Sequence, residues 1–197
     1  EELIGNYHKK SLEIKESFIK YAQKTEEYLE DIKPVIKEKQ EFFRSLAKRF
    51  YPKNASGITV YPNEGENQQR YTIEAKIESD NSDGINNVKI FCYDMTMLFK
   101  GHGHNVKFSF HDSRLFDGID EKHKAEIFKV VNELFNGTDY QYIATVNQNQ
   151  LNEVKSILTE QEYEEIIEKN TILTLTDEDD SEKLLGIKVD VGYEWDK

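Results

Sequence analysis

The chain is short of most residues that cross-link, anchor or cradle. Cys92 is its single cysteine, so no intrachain disulfide can form. A lone thiol fits a reducing compartment, and a cytoplasmic location is expected. No run of about 18 apolar residues occurs, so no membrane span or membrane partner is expected. Nor is there a signal-peptide pattern. No glycine is followed by lysine, which excludes the Gly-x-x-x-x-Gly-Lys-Ser/Thr phosphate cradle. No cysteine cluster or His-x-x-x-His pair points to zinc, although His102, His104, His111, Asp112 and His123 lie close in sequence. Basic residues are outnumbered: 26 Lys and Arg against 38 Asp and Glu leave a net charge of -12. That balance argues against a broad DNA-binding face, and non-specific DNA binding by this chain should be weak.

What is present suffices for one globular domain plus an extension. The 197 residues are 37% hydrophobic and 32% charged, and eleven Phe and eleven Tyr supply core material. The extension is residues 1–50. Ile4, Tyr7, Ile14, Phe18, Tyr21, Tyr28, Ile32, Val35, Phe42 and Leu46 recur at spacings of three and four, interrupted only by Ser11, Thr25 and Lys39. This heptad predicts a coiled-coil helix with Lys and Glu on its other faces, the alternative being a helix docked on the globular domain. Pro34 should kink it or split it near Lys33. Its apolar seam needs a partner, either elsewhere in a longer protein or in a second copy. Glu1-Glu2-Leu3-Ile4 reads as the middle of a helix, so a fragment of a longer protein is expected.

Residues 51–197 read as an α/β lobe. A hairpin is expected from strands 58–61 and 70–77 around a turn at 62–67. A helix over 85–100 follows, with Val88, Ile90, Phe91, Met95 and Leu98 on its buried side. Then come a strand at 106–111, a loop at 112–120, a helix at 121–135 and a strand at 141–146. One or two helices cover 148–168. Strands at 172–175 and 184–191 flank the acidic tip Asp177-Glu178-Asp179-Asp180, which lacks the spacing of a calcium loop. The helix–strand alternation favours a parallel sheet.

Three segments carry candidate chemistry. Ser82-Asp83-Gly84 opens a helix, where free N–H groups and the positive dipole end suit a phosphate. The bland alternative is an N-cap. The strand ending in Asp112 presents a carboxylate suited to Mg²⁺, which keeps waters between itself and such ligands; alternatively Asp112 only caps its loop. Asn147, after the next strand, reaches the same sheet edge, where an amide can contact phosphate or water; otherwise it is a turn residue.

This succession resembles the carboxyl-terminal lobe of an SMC/RecN/RecF-type ABC ATPase head. It is a long helix, a hairpin, Ser-x-Gly at a helix start, an aromatic strand ending in Asp, a Gly-Ile-Asp loop and a second strand. More narrowly, His111-Asp112-Ser113-Arg114-Leu115-Phe116-Asp117-Gly118-Ile119-Asp120-Glu121 resembles the core motif of a bacterial domain of unknown function. That domain lies at the carboxyl end of SMC-like coiled-coil ATPases. Thr171 to Asp177 and Lys183 to Ile187 are similar to that family's tail.

The resemblance implies that Ser82, Asp83 and Gly84 form the signature motif that contacts nucleotide in trans. By the same resemblance Asp112 is the Walker B acid, Gly118-Ile119-Asp120 the D-loop and Asn147 the switch residue. It implies ATP and Mg²⁺ as cofactors of the full-length protein. It also implies a missing amino-terminal lobe, a second head copy and, through the assembly, DNA as partners. Three departures stand out. Ser113 replaces the catalytic Glu that follows the Walker B acid, and Ser is a poor general base; Asp117, Asp120 or Glu121 is left to supply a carboxylate. Asn147 replaces the switch His, and Asp83 sets a negative charge where phosphate binds. The expectation is therefore half of an ATPase head that binds no nucleotide tightly alone. The alternative is a non-catalytic interaction or regulatory module on the same fold.

Overall fold

The computed structural model describes residues 2–63, 69–176 and 178–186. The chain divides into two compact units, Glu1–Ile157 and Leu158–Lys197. Among the described residues the architecture is mixed α/β, mostly helical, with two small sheets.

The heptad segment forms two helices, α1 (Glu2–Asp31) and α2 (Lys33–Phe50). The break falls at Ile32, and Pro34 occupies the first turn of α2, where an N–H has no helical acceptor anyway. The heptad face changes partner along its length. At Thr25, 3% exposed, it meets the chain's own hairpin. The Thr25 hydroxyl donates to the Tyr21 carbonyl at 2.7 Å and accepts from Arg70 Nε at 3.1 Å. The Arg70 guanidinium lies over the Tyr28 and Tyr71 rings, 5.5 and 5.3 Å from their centroids. Upstream, Ile4, Tyr7, Ile14, Phe18 and Tyr21 are exposed.

The hairpin pairs β1 (Ser56–Pro62) with β2 (Tyr71–Ile77) antiparallel, from Ser56 opposite Ile77 to Pro62 opposite Tyr71. The expected turn at 62–67 lies largely outside the described residues. Helix α3 (Asp83–Lys100) buries Val88, Phe91, Cys92 and Met95, a stripe at helical spacing. Ile90 falls off this stripe and is 41% exposed, contrary to expectation. Two residues past Val88, it points about 200° round the helix, away from the core. The α3 stripe meets Phe43, Leu46, Ala47 and Phe50 of α2, all buried, with Phe50 edge-on to Phe91 at 6.0 Å.

Strand β3 (Phe108–His111), helix α4 (Glu121–Phe135), strand β4 (Gln141–Ala144) and helix α5 (Gln148–Ile157) follow. β3 and β4 are parallel, in register from Phe108 opposite Gln141 to His111 opposite Ala144. A parallel α/β sheet was expected, but the one formed is small: among the described residues it has two strands. α4 is tied to α2 by Arg49, which donates to Glu126 at 2.6 Å and to Glu133. It is tied to α5 by the buried Lys124, which pairs with Glu153.

The second unit holds α6 (Glu160–Ile166), opened by a capping box between Thr159 and Glu162. The strands expected at 172–175 and 184–191 need correction. Residues 172–175 are outside any ladder and Ile172 is 93% exposed, so an apolar run alone did not make a strand here. Leu184 to Gly186 is a turn, with the Gly186 N–H on the Lys183 carbonyl at 2.9 Å; residues 187–191 lie outside the described residues. Asp180–Glu182 is a 3-10 turn rather than a hairpin tip. Among the described residues no helix is long and apolar enough to cross a membrane.

Cys92 sits wholly inside the α2–α3 interface, and burial pushes its thiol pKa up. A thiol reagent should therefore titrate no cysteine in the native protein and one per chain in denaturant. Rapid native labelling would mean that this interface opens.

Candidate functional site

Parallel pairing brings the ends of β3 and β4 to one edge. The Thr145 N–H donates to the His111 carbonyl at 3.1 Å, so Asp112 and the 145–147 segment leave the sheet side by side. Asp112 is exposed, and its Oδ1 accepts from the Arg114 N–H at 2.9 Å, capping the 3-10 turn Ser113–Phe116. Its other oxygen is not used in that cap. The cap is the bland role weighed for this acid, and it leaves room for the other.

Gln150, in the first turn of α5, draws several candidates together. It is 7% exposed. Its amide donates to the Ser113 carbonyl and to Asp117 Oδ1, both at 3.1 Å, while its own oxygen accepts from the Asn147 N–H at 3.1 Å. Ser113, Asp117 and Asn147 thus converge on one side chain. Asn87 of α3 grips the same loop from the other side, donating to the Arg114 and Asp117 carbonyls at 3.2 and 2.9 Å.

The start of α3 is pressed onto this loop. A Cβ on Gly84 would stand 2.3 Å from the Gly118 carbonyl oxygen, so only glycine permits the approach. Gly118 has a φ of 70°, in the left-handed region that glycine occupies without penalty. Ser82 is the N-cap of α3, its hydroxyl accepting from the Ile85 N–H at 3.4 Å, and Asp83 is exposed in the first turn. Asp83 there suits the helix dipole and opposes an incoming anion.

Asp120 closes the loop as N-cap of α4, accepting from the Lys122 and His123 N–H groups at 3.0 Å. Its second oxygen meets His123 Nδ1 at 2.6 Å. Burial pushes the Asp120 carboxyl up, but the two N–H groups and the His123 ring outweigh it and hold it below the ordinary value. His123 also donates from Nε2 to the Phe50 carbonyl at 2.9 Å.

The histidines do not assemble. His104 contacts the Met97 carbonyl, His123 the Phe50 carbonyl and Asp120, and His111 points to the opposite side from Asp112. Among the described residues no group of three His, Cys, Asp or Glu side chains is arranged to hold a metal ion. His111 instead belongs to a polar relay that the sequence did not suggest. Its Nε2 lies 2.9 Å from Asp94 Oδ2 and its Nδ1 3.0 Å from the Tyr142 hydroxyl. The relay links α3, β3 and β4 beneath the sheet, and burial pushes the Tyr142 hydroxyl pKa up. The period of β3 and β4 hints at it, since His111 and Tyr142 alternate with the exposed Phe110 and Ile143. Gln150 and Asn87 gave no such signal, because a buried amide looks like any surface amide in a helix.

Residues 46–189 match a protein family described as "Uncharacterised protein conserved in bacteria (DUF2326)". No curated protein matches the chain.

Two substitutions probe the geometry. Gln150→Leu should cost about 2 kcal/mol in denaturant unfolding, because it removes the three hydrogen bonds made by this buried amide. Asp120→Ala should cost about 1 kcal/mol, and Asp120→Asn less, since Asn also caps. With its folded pKa lowered, Asp120 contributes fully above its unfolded value of about 3.9 and loses that contribution as pH falls through the folded one. The stability gap between wild type and Asp120→Ala should therefore narrow in acid; a gap unchanged into strong acid contradicts the assignment.

Proposed function

As the chain belongs to this bacterial family, we propose that it is the carboxyl-terminal, trans-acting half of an SMC/RecN-like ATPase head. It serves ATP-dependent head engagement in DNA maintenance or defence. The observation that carries the reading is the close approach of Gly84 to Gly118. It sets the Ser82-Asp83-Gly84 helix start against the Gly118-Ile119-Asp120 loop, one turn after the exposed Asp112. Signature-like and D-loop-like segments thereby share one surface.

The residues present fit Mg-ATP in part. Asp112 is an exposed carboxylate at a strand end, a donor suited to Mg²⁺ through water. The α3 start offers N–H groups to phosphate, and Asp83 works against that contact. Mg²⁺, when bound, would neutralise phosphate charge. Asp112 would hold the ion, the first turn of α3 would orient phosphate, and Asn147 would position water. The phosphate cradle is foreign to this sequence, so it must come from another lobe.

A second reading is favoured by Ser113 and Gln150. Ser113 offers no carboxylate, and Gln150 engages Asp117, one of the acids left to replace it. A head of this kind engages a partner but turns over slowly or not at all, as a regulatory module.

The test is to co-express an amino-terminal lobe with the chain and measure ATPase activity. Asp112→Asn should lower the rate by about 10²-fold. An active head whose rate is indifferent to Asp112→Asn refutes the assignment. The chain alone should show no tight Mg-ATP binding by calorimetry.

A further inference from the structure

The uncovered half of the α1 seam carries a charge and size pattern that disfavours self-pairing. With Ile4, Ser11, Phe18 and Thr25 at a positions and Tyr7, Ile14 and Tyr21 at d, the e and g positions that flank a partner are His8, Lys15 and Ala22, and Lys10, Ser17 and Lys24. None is acidic. Glu13 and Glu16, the acids of this stretch, lie at outer c and f positions. A chain with a net charge of -12 thus lines this seam with cations.

In a parallel pair of copies, Lys10 at g would face Lys15 of the second copy at e. In an antiparallel pair, e meets e and g meets g, and every charged residue at either position is again Lys or His. Like charges there select against the pairing. Size opposes it too. An in-register parallel dimer stacks Tyr7, Phe18 and Tyr21 each on its own copy, and layers of two large aromatics are overpacked.

The seam is nonetheless shaped to receive a helix. Ile14, Ser17, Phe18 and Tyr21 line a shallow concavity of about 360 Å³, rimmed by Lys10 and Glu13. Those four are successive d, g, a and d positions, the set that forms one hole for an incoming knob. Below it, from Thr25 on, the same face is already covered by the hairpin.

We infer that the α1 seam from Ile4 to Tyr21 docks a heptad helix with acidic e and g positions and small apolar residues opposite the aromatics, and not a second copy of this chain. The charge pattern stands whether or not the head acts on ATP, because it is read on binding rather than turnover.

The test uses the full chain and two synthetic three-heptad peptides with Leu and Ala at a and d, one with Glu and one with Lys at e and g. The chain alone should sediment as a monomer. By fluorescence anisotropy the Glu peptide should bind about tenfold or more tighter than the Lys peptide. Lys10→Glu, Lys15→Glu and Lys24→Glu together should invert that preference. Phe18→Glu, at an exposed site, should abolish binding while leaving the circular dichroism melt unchanged. Equal binding of the two peptides, binding of neither, or a dimer of the chain that Phe18→Glu disperses would each overturn the inference.

Discussion

The contact on which the candidate site depends is backbone against backbone, between the first turn of α3 and the loop at Gly118. Its closeness leaves no room for a side chain at Gly84. It fixes where α3 begins relative to β3, and hence which side chains share the surface at the sheet edge. Asn87, one turn along α3, then reaches two loop carbonyls, and Gln150 holds the far side. The loop is clamped from α3 and α5 through hydrogen bonds to its carbonyls and to the Asp117 carboxylate. A site built this way is preorganised, which suits contact with a rigid ligand more than induced closure.

The rest of the first unit hangs from the α2–α3 interface. Phe43, Phe50, Phe91 and Met95 supply apolar area, and ion pairs at its margin, such as Lys100 with Glu38 at 2.9 Å, add direction more than strength. One helical ribbon serves three purposes along its length. α2 belongs to the core, the end of α1 is bound by Arg70 and the hairpin, and the start of α1 projects an apolar seam. The passage between these roles falls at Thr25, where a polar residue in the heptad accepts a hydrogen bond.

Much of this was legible in the sequence, for physical reasons that differ by element. Apolar spacing located α3 and α4, because each buries one face and the period records it; β3 and β4 were located by their apolar runs, although Phe108, Phe110 and Ile143 lie on the exposed side of the pair. Pro34 marked the helix break through its missing N–H. Thr25 looked like a flaw in the heptad, and its role appears only once Arg70 is beside it, 45 positions along the chain. Ile172 to Leu175 carried strand-like composition without a ladder to join. The candidate acids were visible as strand-end and loop residues, but Gln150, which gathers Ser113, Asp117 and Asn147, was not. A buried amide has no period and is recognised by its partners alone.

The central claim is that the α3 start faces phosphate rather than merely capping a helix, and one substitution separates the two. Asp is as good an N-cap as Ser, so Ser82→Asp keeps α3 intact while adding negative charge at the proposed phosphate contact. Sedimentation velocity of the reconstituted head with Mg-ATP reads engagement directly. The account predicts an ATP-dependent dimer for the wild type and a monomer for Ser82→Asp, at unchanged thermal stability. A Ser82→Asp head that dimerises with ATP as the wild type does would contradict it.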